Sequence, residues 1–282
     1  MDGVLLIDKP KGMTSRDVVN HIMRNFKIKK CGHCGTLDPF ATGLLLVTCG
    51  KATKISSFLE GQNKSYIAKL YLGEKKDTLD CLGNTVDKAE VPYFNEDRIN
   101  DVFSALIGEI EQYPPIYSAI KVNGKPLYKY ARNGESVEIK PRNVTIFELK
   151  LVSFKQNEIV FYVKCSKGTY VRTLGEQISE RLGTFGHLTE LRRISIGNFD
   201  VTNAKSINDI TSNNLLSISQ SLSDIKQIVI SDIQTQIDIK NGKPILNDFD
   251  NEIVYFKTEE DEPLAIYRRE DKSIYKCVRG LF

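Results

Sequence analysis

Apolar residues along this chain fall into short runs and alternations, with few long helical stripes. Val4 to Ile7 and Leu44 to Cys49 are nearly unbroken apolar runs of strand length, which predicts strands covered on both faces. Between them, Thr14 or Ser15 is placed to cap a helix reaching about Phe26, with Val18, Val19, Ile22 and Met23 as its apolar stripe. Lys64 to Leu72 alternates, so Tyr66, Ala68, Leu70 and Leu72 share one face of a strand. Short helices are predicted over Ala52 to Leu59, Glu96 to Ile107 and Leu127 to Arg132. Ile116 to Val122 reads as a strand that turns at Asn123-Gly124. Asn143 to Phe154 and Glu158 to Cys165 read as a strand pair, and Tyr170 to Leu182 begins extended and becomes helical.

Strands and helices alternate irregularly, without the rhythm of a parallel doubly wound sheet. The fold class is therefore α+β with a mainly antiparallel mixed sheet. Residues 204–222, rich in Asn, Ser, Ile and Leu, read as a linker with helical turns. Gln227 to Phe282 carries short strands and the turn signal Asn241-Gly242, a small β-rich unit. The expected division is 1–223 and 224–282. A unit as small as the second is marginal alone and is expected to dock on the first.

The 282 residues are 41% hydrophobic and 27% charged, which excludes a disordered chain. The net charge of +3 says little, but its distribution says more: Lys121 to Arg193 holds fourteen Lys and Arg against seven Asp and Glu. From Ser231 onward there are eight against eleven. A basic middle fits a polyanion such as nucleic acid, and fits a plain solvated face equally well. Met1-Asp2-Gly3 lacks a basic leader, and Leu44 to Val47, the longest apolar run, is too short to span a bilayer. A cytoplasmic protein with reduced thiols and no membrane partner is expected. Cys49 and Cys165 read as small core residues. Cys31-Gly32-His33-Cys34 has the form of a redox or zinc motif, but no second Cys-x-x-Cys follows and the segment runs into a glycine loop. No metal is expected there.

Candidate chemistry concentrates in Gly32-His33-Cys34-Gly35-Thr36-Leu37-Asp38-Pro39-Phe40-Ala41-Thr42-Gly43-Leu44. Glycines punctuate the segment, and Pro39 restricts Asp38 to extended backbone. One carboxylate is presented from a loop that leads into a buried strand. Read alone, an Asp-Pro pair is more often a turn cap than a catalytic group.

The wider pattern changes that weighting. Gly3-Val4-Leu5-Leu6-Ile7-Asp8-Lys9-Pro10, Gly35 to Gly43, Lys64-Ser65-Tyr66, Cys165-Ser166-Lys167-Gly168-Thr169-Tyr170-Val171-Arg172 and Leu191-Arg192-Arg193 stand in order over roughly the first 200 residues. Together they closely resemble the bacterial tRNA pseudouridine-55 synthase family (TruB). The resemblance implies a pseudouridine synthase core, an RNA-clamping insertion near 121–145 and a C-terminal PUA-like RNA-binding unit. It also implies isomerisation of uridine to pseudouridine at position 55 in the T loop of tRNAs. No cofactor is implied. The partner is the T-arm stem-loop of tRNA, no protein partner is required, and a monomer is expected. The catalytic set carried over is Asp38, Tyr66 and Arg172, with Arg172 paired to Asp38 and Tyr66 stacked on the uracil. Tyr170 and Leu191 line the base pocket, and His33 enters the RNA loop where the everted base had been.

Elementary chemistry agrees with these roles. The reaction breaks the C1′–N1 bond, turns the uracil and rejoins it through C5, so it needs no hydride, phosphate or group donor. It does need an ionised carboxylate, which an adjacent arginine favours and orients. Tyr170 and Arg172, two apart on what reads as a strand, are expected to point to one side. Everting a base costs a few kcal/mol, and stacking on an aromatic ring returns roughly 1–3 kcal/mol. The basic run Lys121, Lys125, Lys129, Arg132, Lys140 and Arg142, with Tyr128 and Tyr130 interleaved, suits an RNA backbone. Without the resemblance, Tyr66 and Leu191 are plain core residues, Arg172 a surface cation and His33 a turn residue.

Three competing readings remain at this level. A related synthase acting on another RNA, guided by an RNA-protein partner, would be inactive on an isolated T-arm stem-loop. A non-catalytic tRNA chaperone would keep full function as Asp38→Asn. A hydrolase working through a lone carboxylate would release free uracil, although glycoside hydrolysis needs a second carboxylate nearby.

Overall fold

A computed structural model describes all residues, 1–282. Following the chain, the elements are β1 (Gly3–Lys9), α1 (Ser15–Asn25), β2 (Cys31–His33), β3 (Thr42–Cys49), α2 (Ser56–Glu60), β4 (Lys64–Leu72), β5 (Glu74–Lys76), β6 (Thr85–Lys88) and α3 (Glu96–Ser104). Then come β7 (Gly108–Gln112), β8 (Lys121–Val122), β9 (Lys125–Pro126), α4 (Leu127–Arg132), β10 (Arg142–Lys155), β11 (Glu158–Cys165), α5 (Val171–Arg181), β12 (Gly186–Ile196), β13 (Phe199–Asp200) and β14 (Lys205–Ser206). The remainder is α6 (Ile218–Ser221), β15 (Lys226–Val229), α7 (Ile233–Lys240), β16 (Ile245–Leu246), β17 (Ile253–Lys257), β18 (Pro263–Asp271) and β19 (Ile274–Gly280).

The large sheet runs β14-β1-β3-β12-β4-β11-β10-β7, with β2 added beside β3 and β13 beside β12. Only the β1/β14 and β3/β12 contacts are parallel, so the sheet is mixed and mainly antiparallel. β1 and β3 are continuously apolar because both faces are covered. Val4, Leu6, Leu44 and Leu46 face one cluster, while Leu5, Ile7, Leu45 and Val47 face Val18, Val19 and Ile22 of α1. The largest cluster joins α3 and α5 to the other half of the sheet through Val102, Phe103, Leu174, Phe161, Leu70 and Leu188.

Local signals place the helices. Thr14 accepts from the Asp17 amide while the Asp17 side chain returns to the Thr14 amide, a reciprocal cap for α1. Asn95 caps α3 through one bond, its side chain accepting from the Arg98 amide. The Asn123-Gly124 turn has positive φ at both residues, 51° and 78°, and joins β8 to β9.

The five-stranded second sheet, β15-β17-β18-β19-β16, is drawn from the C-terminal residues and includes α7 as a helix the sequence did not signal. It docks as expected: Tyr255, Ile266 and Leu281 share a buried cluster with Val4, Leu6 and Leu59. The Tyr255 hydroxyl lies 3.0 Å from that of Ser219.

Three expectations are corrected. Ile116 to Val122 is not a strand beyond Lys121–Val122, because its carbonyls serve other partners: Ser118 and Ile120 accept from the Tyr128 and Leu127 amides. Residues 204–222 are not a free linker, since Leu216 bridges Val4 through both backbone groups and Ile218 and Leu222 are core residues. Tyr170 and Arg172 do not share a strand. Tyr170 is the extended residue capping α5, and Arg172 lies in that helix's first turn.

Candidate active site

The segment before β3 closes as a tight turn in which the Ala41 amide donates to the Asp38 carbonyl at 3.1 Å. Its outside is pinned by α1 and by the turn after β1. Ser15 donates to the Leu37 carbonyl and accepts from the Leu37 amide, and the Gly12 amide donates to Pro39. Leu37, Phe40 and Ala41 are buried in the large cluster. The turn is thus anchored on both sides of Asp38, and the carboxylate is left 29% exposed. Gly43 closes the loop at φ +101°, where a Cβ would lie 2.2 Å from the Arg193 carbonyl, so only glycine fits there.

Arg172 reaches the carboxylate with two nitrogens: Nε lies 2.9 Å from Oδ2 and Nη2 3.1 Å from Oδ1. The same guanidinium donates to the Thr78 carbonyl at 2.8 Å and the Tyr117 carbonyl at 3.0 Å. Asp80 stands behind it at 3.7 Å, and its own Oδ1 accepts from Thr78 and the Leu82 amide. The arginine is 4% exposed, and Asp38 and two backbone carbonyls accept from it while Asp80 stands behind, so its orientation is fixed before any ligand arrives.

The neighbouring walls come from the middle of the sheet. Leu191 on β12 pairs with Ala68 on β4, and Arg193 pairs with Tyr66, so these four side chains share one face. Tyr66 and Leu191 belong to the same buried cluster as Leu37 and Phe40 of the turn. Tyr170 is held by Gln112, which accepts from its amide at 3.0 Å, and burial raises its phenol above the ordinary tyrosine range. The structure thus pairs Asp38 with Arg172, sets Tyr66 and Leu191 in the buried cluster that also holds Leu37 and Phe40 of the turn, and puts Tyr170 at the start of the helix that carries Arg172. His33 stands apart on β2, opposite Val47, with Glu60, Arg193 and Arg16 as its charged neighbours. Its Nδ1 is buried without a hydrogen-bond partner, and burial lowers its pKa, so the ring is held toward the neutral form.

Electrostatics at the turn oppose one another. Burial raises the Asp38 pKa above the ordinary carboxylate value, Arg172 and Lys9 pull it back, and Asp80 pushes it further up. Lys9 is fully buried, donates to the Pro10 and Met13 carbonyls, and is pushed down to about 8 by that burial. Lys64 is buried beside Gly35 and is likewise pushed down to about 8. Burial also raises the Tyr66 phenol, against the pull of the Arg193 guanidinium. The arrangement offers one carboxylate, oriented by a fixed cation, beside an apolar and aromatic wall. Two surface hollows of about 670 and 360 Å³ lie elsewhere and take in none of these groups.

Sequence reasoning assigned no role to Asp80, Lys9 or Arg193. Asp80 gives no signal, because it reaches Arg172 only through the β5–β6 hairpin, which was not foreseen. Arg193 could have been found: it is two residues from Leu191 on one strand, hence on the same face.

Comparison with known proteins identifies the family and the fold. Residues 23–171 match the TruB family pseudouridylate synthase N-terminal domain. The tRNA pseudouridine synthase B of Mycoplasma capricolum subsp. capricolum is 41% identical over 285 residues, covering 99% of this chain and 96% of that protein. The enzyme of the same description from Hydrogenovibrio crunogenus is 49% identical over 197 residues, 70% of this chain and 65% of its own. Among solved structures, a chain of a Cbf5-Nop10-Gar1 complex superposes with a TM-score of 0.75 at 23% identity, covering 99% of this chain and 85% of that one. That last likeness is one of fold.

Proposed function

The chain belongs to the TruB family of pseudouridylate synthases, and on that premise we propose that it isomerises the uridine at position 55 in the T loop of tRNAs, with Asp38 as the catalytic carboxylate. Its relatives' shared activity makes pseudouridine formation in tRNA the reaction class. The observation that carries the assignment to Asp38 is the two-nitrogen contact of Arg172 with a carboxylate that stays partly open to solvent.

The chemistry follows from that contact. Attack at C1′, attack at C6 and abstraction of a ribose proton on a glycal route all begin from an ionised Asp38. Arg172 favours that form and keeps both carboxylate oxygens from rotating away. Tyr66 and Leu191 supply an aromatic face and an apolar wall for the everted uracil, offsetting part of the unstacking cost. Tyr170, at the start of the helix that carries Arg172, lines the far side in this reading. Once the glycosidic bond breaks, the uracil turns within this enclosure and rejoins C1′ through C5. In this reading His33, outside the carboxylate cluster, enters the space the base vacates.

Insertion residues 121–142 carry five exposed cations, Lys121, Lys129, Arg132, Lys140 and Arg142. Lys125 lies 4.4 Å from the Tyr130 ring centre and Arg132 5.6 Å from that of Tyr128. Such a surface suits the backbone of a folded RNA arm, read by shape. The C-terminal unit, PUA-like in our reading, adds RNA contact, and one protomer suffices for the site.

The test is chemical mapping of pseudouridine in unmodified tRNA transcripts and in an isolated T-arm stem-loop. Wild-type protein is expected to modify both at position 55, and Asp38→Asn to modify neither while binding tRNA. Turnover by Asp38→Asn, or modification only at other positions, would refute the reading.

A further inference from the structure

The Cys31-Gly32-His33-Cys34 segment does not bring its own two thiols together. The two cysteines are three apart on a strand ladder, so they face opposite sides of the sheet. Cys34 is buried with Leu44 and Leu46, whereas Cys31 packs against the cluster that holds Val47 and Cys49. The partner of Cys31 is Cys49, directly across from it on β3, and their Sγ atoms lie 3.5 Å apart. The Gly50 amide donates to the Lys30 carbonyl on one side of this pair, and the Cys34 amide donates to the Leu46 carbonyl further along. Bonded and unbonded rungs alternate in an antiparallel ladder. Cys31 and Cys49 therefore occupy an unbonded rung, where Cα atoms stand about 4.5 Å apart. A disulfide spans that separation. Cys31 is half-buried and Cys49 fully buried.

We propose that Cys31 and Cys49 form a reversible disulfide, a modification site that clamps the base of the loop carrying Asp38. The bond would close a ring around residues 32–48, which include His33, the Asp38 turn and most of β3. The inference stands on the ladder geometry and holds whatever reaction Asp38 serves. Glutathione disulfide is the oxidant. Cys31, the thiol that solvent reaches, loses its proton and attacks one glutathione sulfur, expelling a glutathione thiolate. Cys49 then loses its proton and attacks the Cys31 sulfur, expelling the second thiolate. One S–S bond breaks in the oxidant and one forms in the protein, and the two thiol protons end on two glutathiones. Two protein sulfurs are oxidised and two glutathione sulfurs reduced. Burial raises both thiols above the ordinary value. Thiolate is therefore scarce, and the pair stays reduced until glutathione disulfide is in excess. Closure asks the two sulfurs to approach by roughly 1.5 Å, a rotation of side chains that leaves the ladder in place.

The experiment incubates the full chain with reduced or oxidised glutathione. Remaining thiols are then alkylated under denaturing conditions and mapped by mass spectrometry after chymotrypsin digestion. Oxidised wild type is expected to lose two hydrogens in intact mass, with the fragments holding Cys31 and Cys49 joined and Cys34 alkylated. Dithiothreitol should restore both thiols. In denaturant titrations, oxidation should lower the unfolding constant on the order of 10²-fold, as closing a loop of this length does. Cys31→Ser should show neither the link nor the shift, whereas Cys34→Ala should keep both. A link between Cys31 and Cys34, or a glutathione adduct on Cys31 that never passes to Cys49, would overturn the proposal. So would equal unfolding constants for the oxidised and reduced forms. Should a variant fail to fold, the fragment map and unfolding constants of the wild type decide alone.

Discussion

Asp38 and Arg172, 134 positions apart in sequence, meet through two nitrogen–oxygen contacts of 2.9 and 3.1 Å. The fork geometry requires a planar guanidinium, and two backbone carbonyls lock it in place. Arg172→Lys is therefore expected to lower the single-turnover rate on the order of 10²-fold while tRNA binding persists, because one ammonium cannot span both oxygens and both carbonyls. Arg172→Ala should in addition cost about 3–5 kcal/mol of stability, measured by denaturant unfolding. A lysine variant of wild-type rate would show that the fork is not needed.

The pH profile follows from the same pair. With Asp38 as the proposed catalytic carboxylate, the ionised form is required, so the rate is expected to fall as pH drops through its folded pKa, which burial raises above the ordinary carboxylate value. Arg172 opposes that rise. Arg172→Gln is therefore expected to move the acid limb to higher pH. For stability the sign is reversed. A carboxylate with a raised folded pKa contributes fully below its unfolded pKa, and the contribution is lost as pH climbs through the folded value. Single-turnover rates and unfolding midpoints across the acid range check both. An acid limb that stays put in Arg172→Gln would contradict the assignment.

Binding should be strongly salt-dependent. If the exposed cations of the insertion grip phosphates, log Kd rises steeply with log salt, with each phosphate contact adding about 0.7–0.9 to the slope. Replacing Lys121, Lys129 and Lys140 by Gln should make the slope shallower and weaken binding to all tRNA sequences alike. An unchanged slope would remove the insertion from the RNA interface.

Gly43→Ala tests the loop geometry. The residue's φ of +101° and the 2.2 Å approach to the Arg193 carbonyl leave no room for a methyl group. A loss of roughly 2–4 kcal/mol in stability is expected, together with loss of activity. A stable, active alanine variant would mean that β3 and β12 separate easily at this point.

Legibility from sequence divided along a physical line. Elements set by local periodicity and capping were readable: α1 from Thr14 and its stripe, β4 from strict alternation, the β10/β11 pair from two runs with a short break. The pairing of Asp38 with Arg172 was expected through the resemblance, and the structure has the two in contact, while Tyr66 and Leu191 lie on one buried sheet face. What was not readable depends on tertiary hydrogen bonding. Residues 116–120 carry strand-like side chains, yet their backbone is claimed by Arg172 and α4. Val171 opens a helix where alternation read as strand, because the Tyr170 backbone is taken by Gln112 and helical bonds begin at Leu174. β7 and the β5/β6 hairpin are short and polar, with no apolar period to announce them.

The position of β12 between β3 and β4 has a consequence for how the protein comes to life. The carboxylate arrives with β3, the aromatic face with β4, and the strand that joins them is made more than a hundred residues later. Such pairings form late, because a long loop must close before any contact rewards it. A nascent or half-folded chain is therefore expected to hold no working fragment of the proposed catalytic site. The first modified RNA that a refolding sample produces marks the moment its central strand is inserted, which makes turnover itself a clock for completion of the sheet.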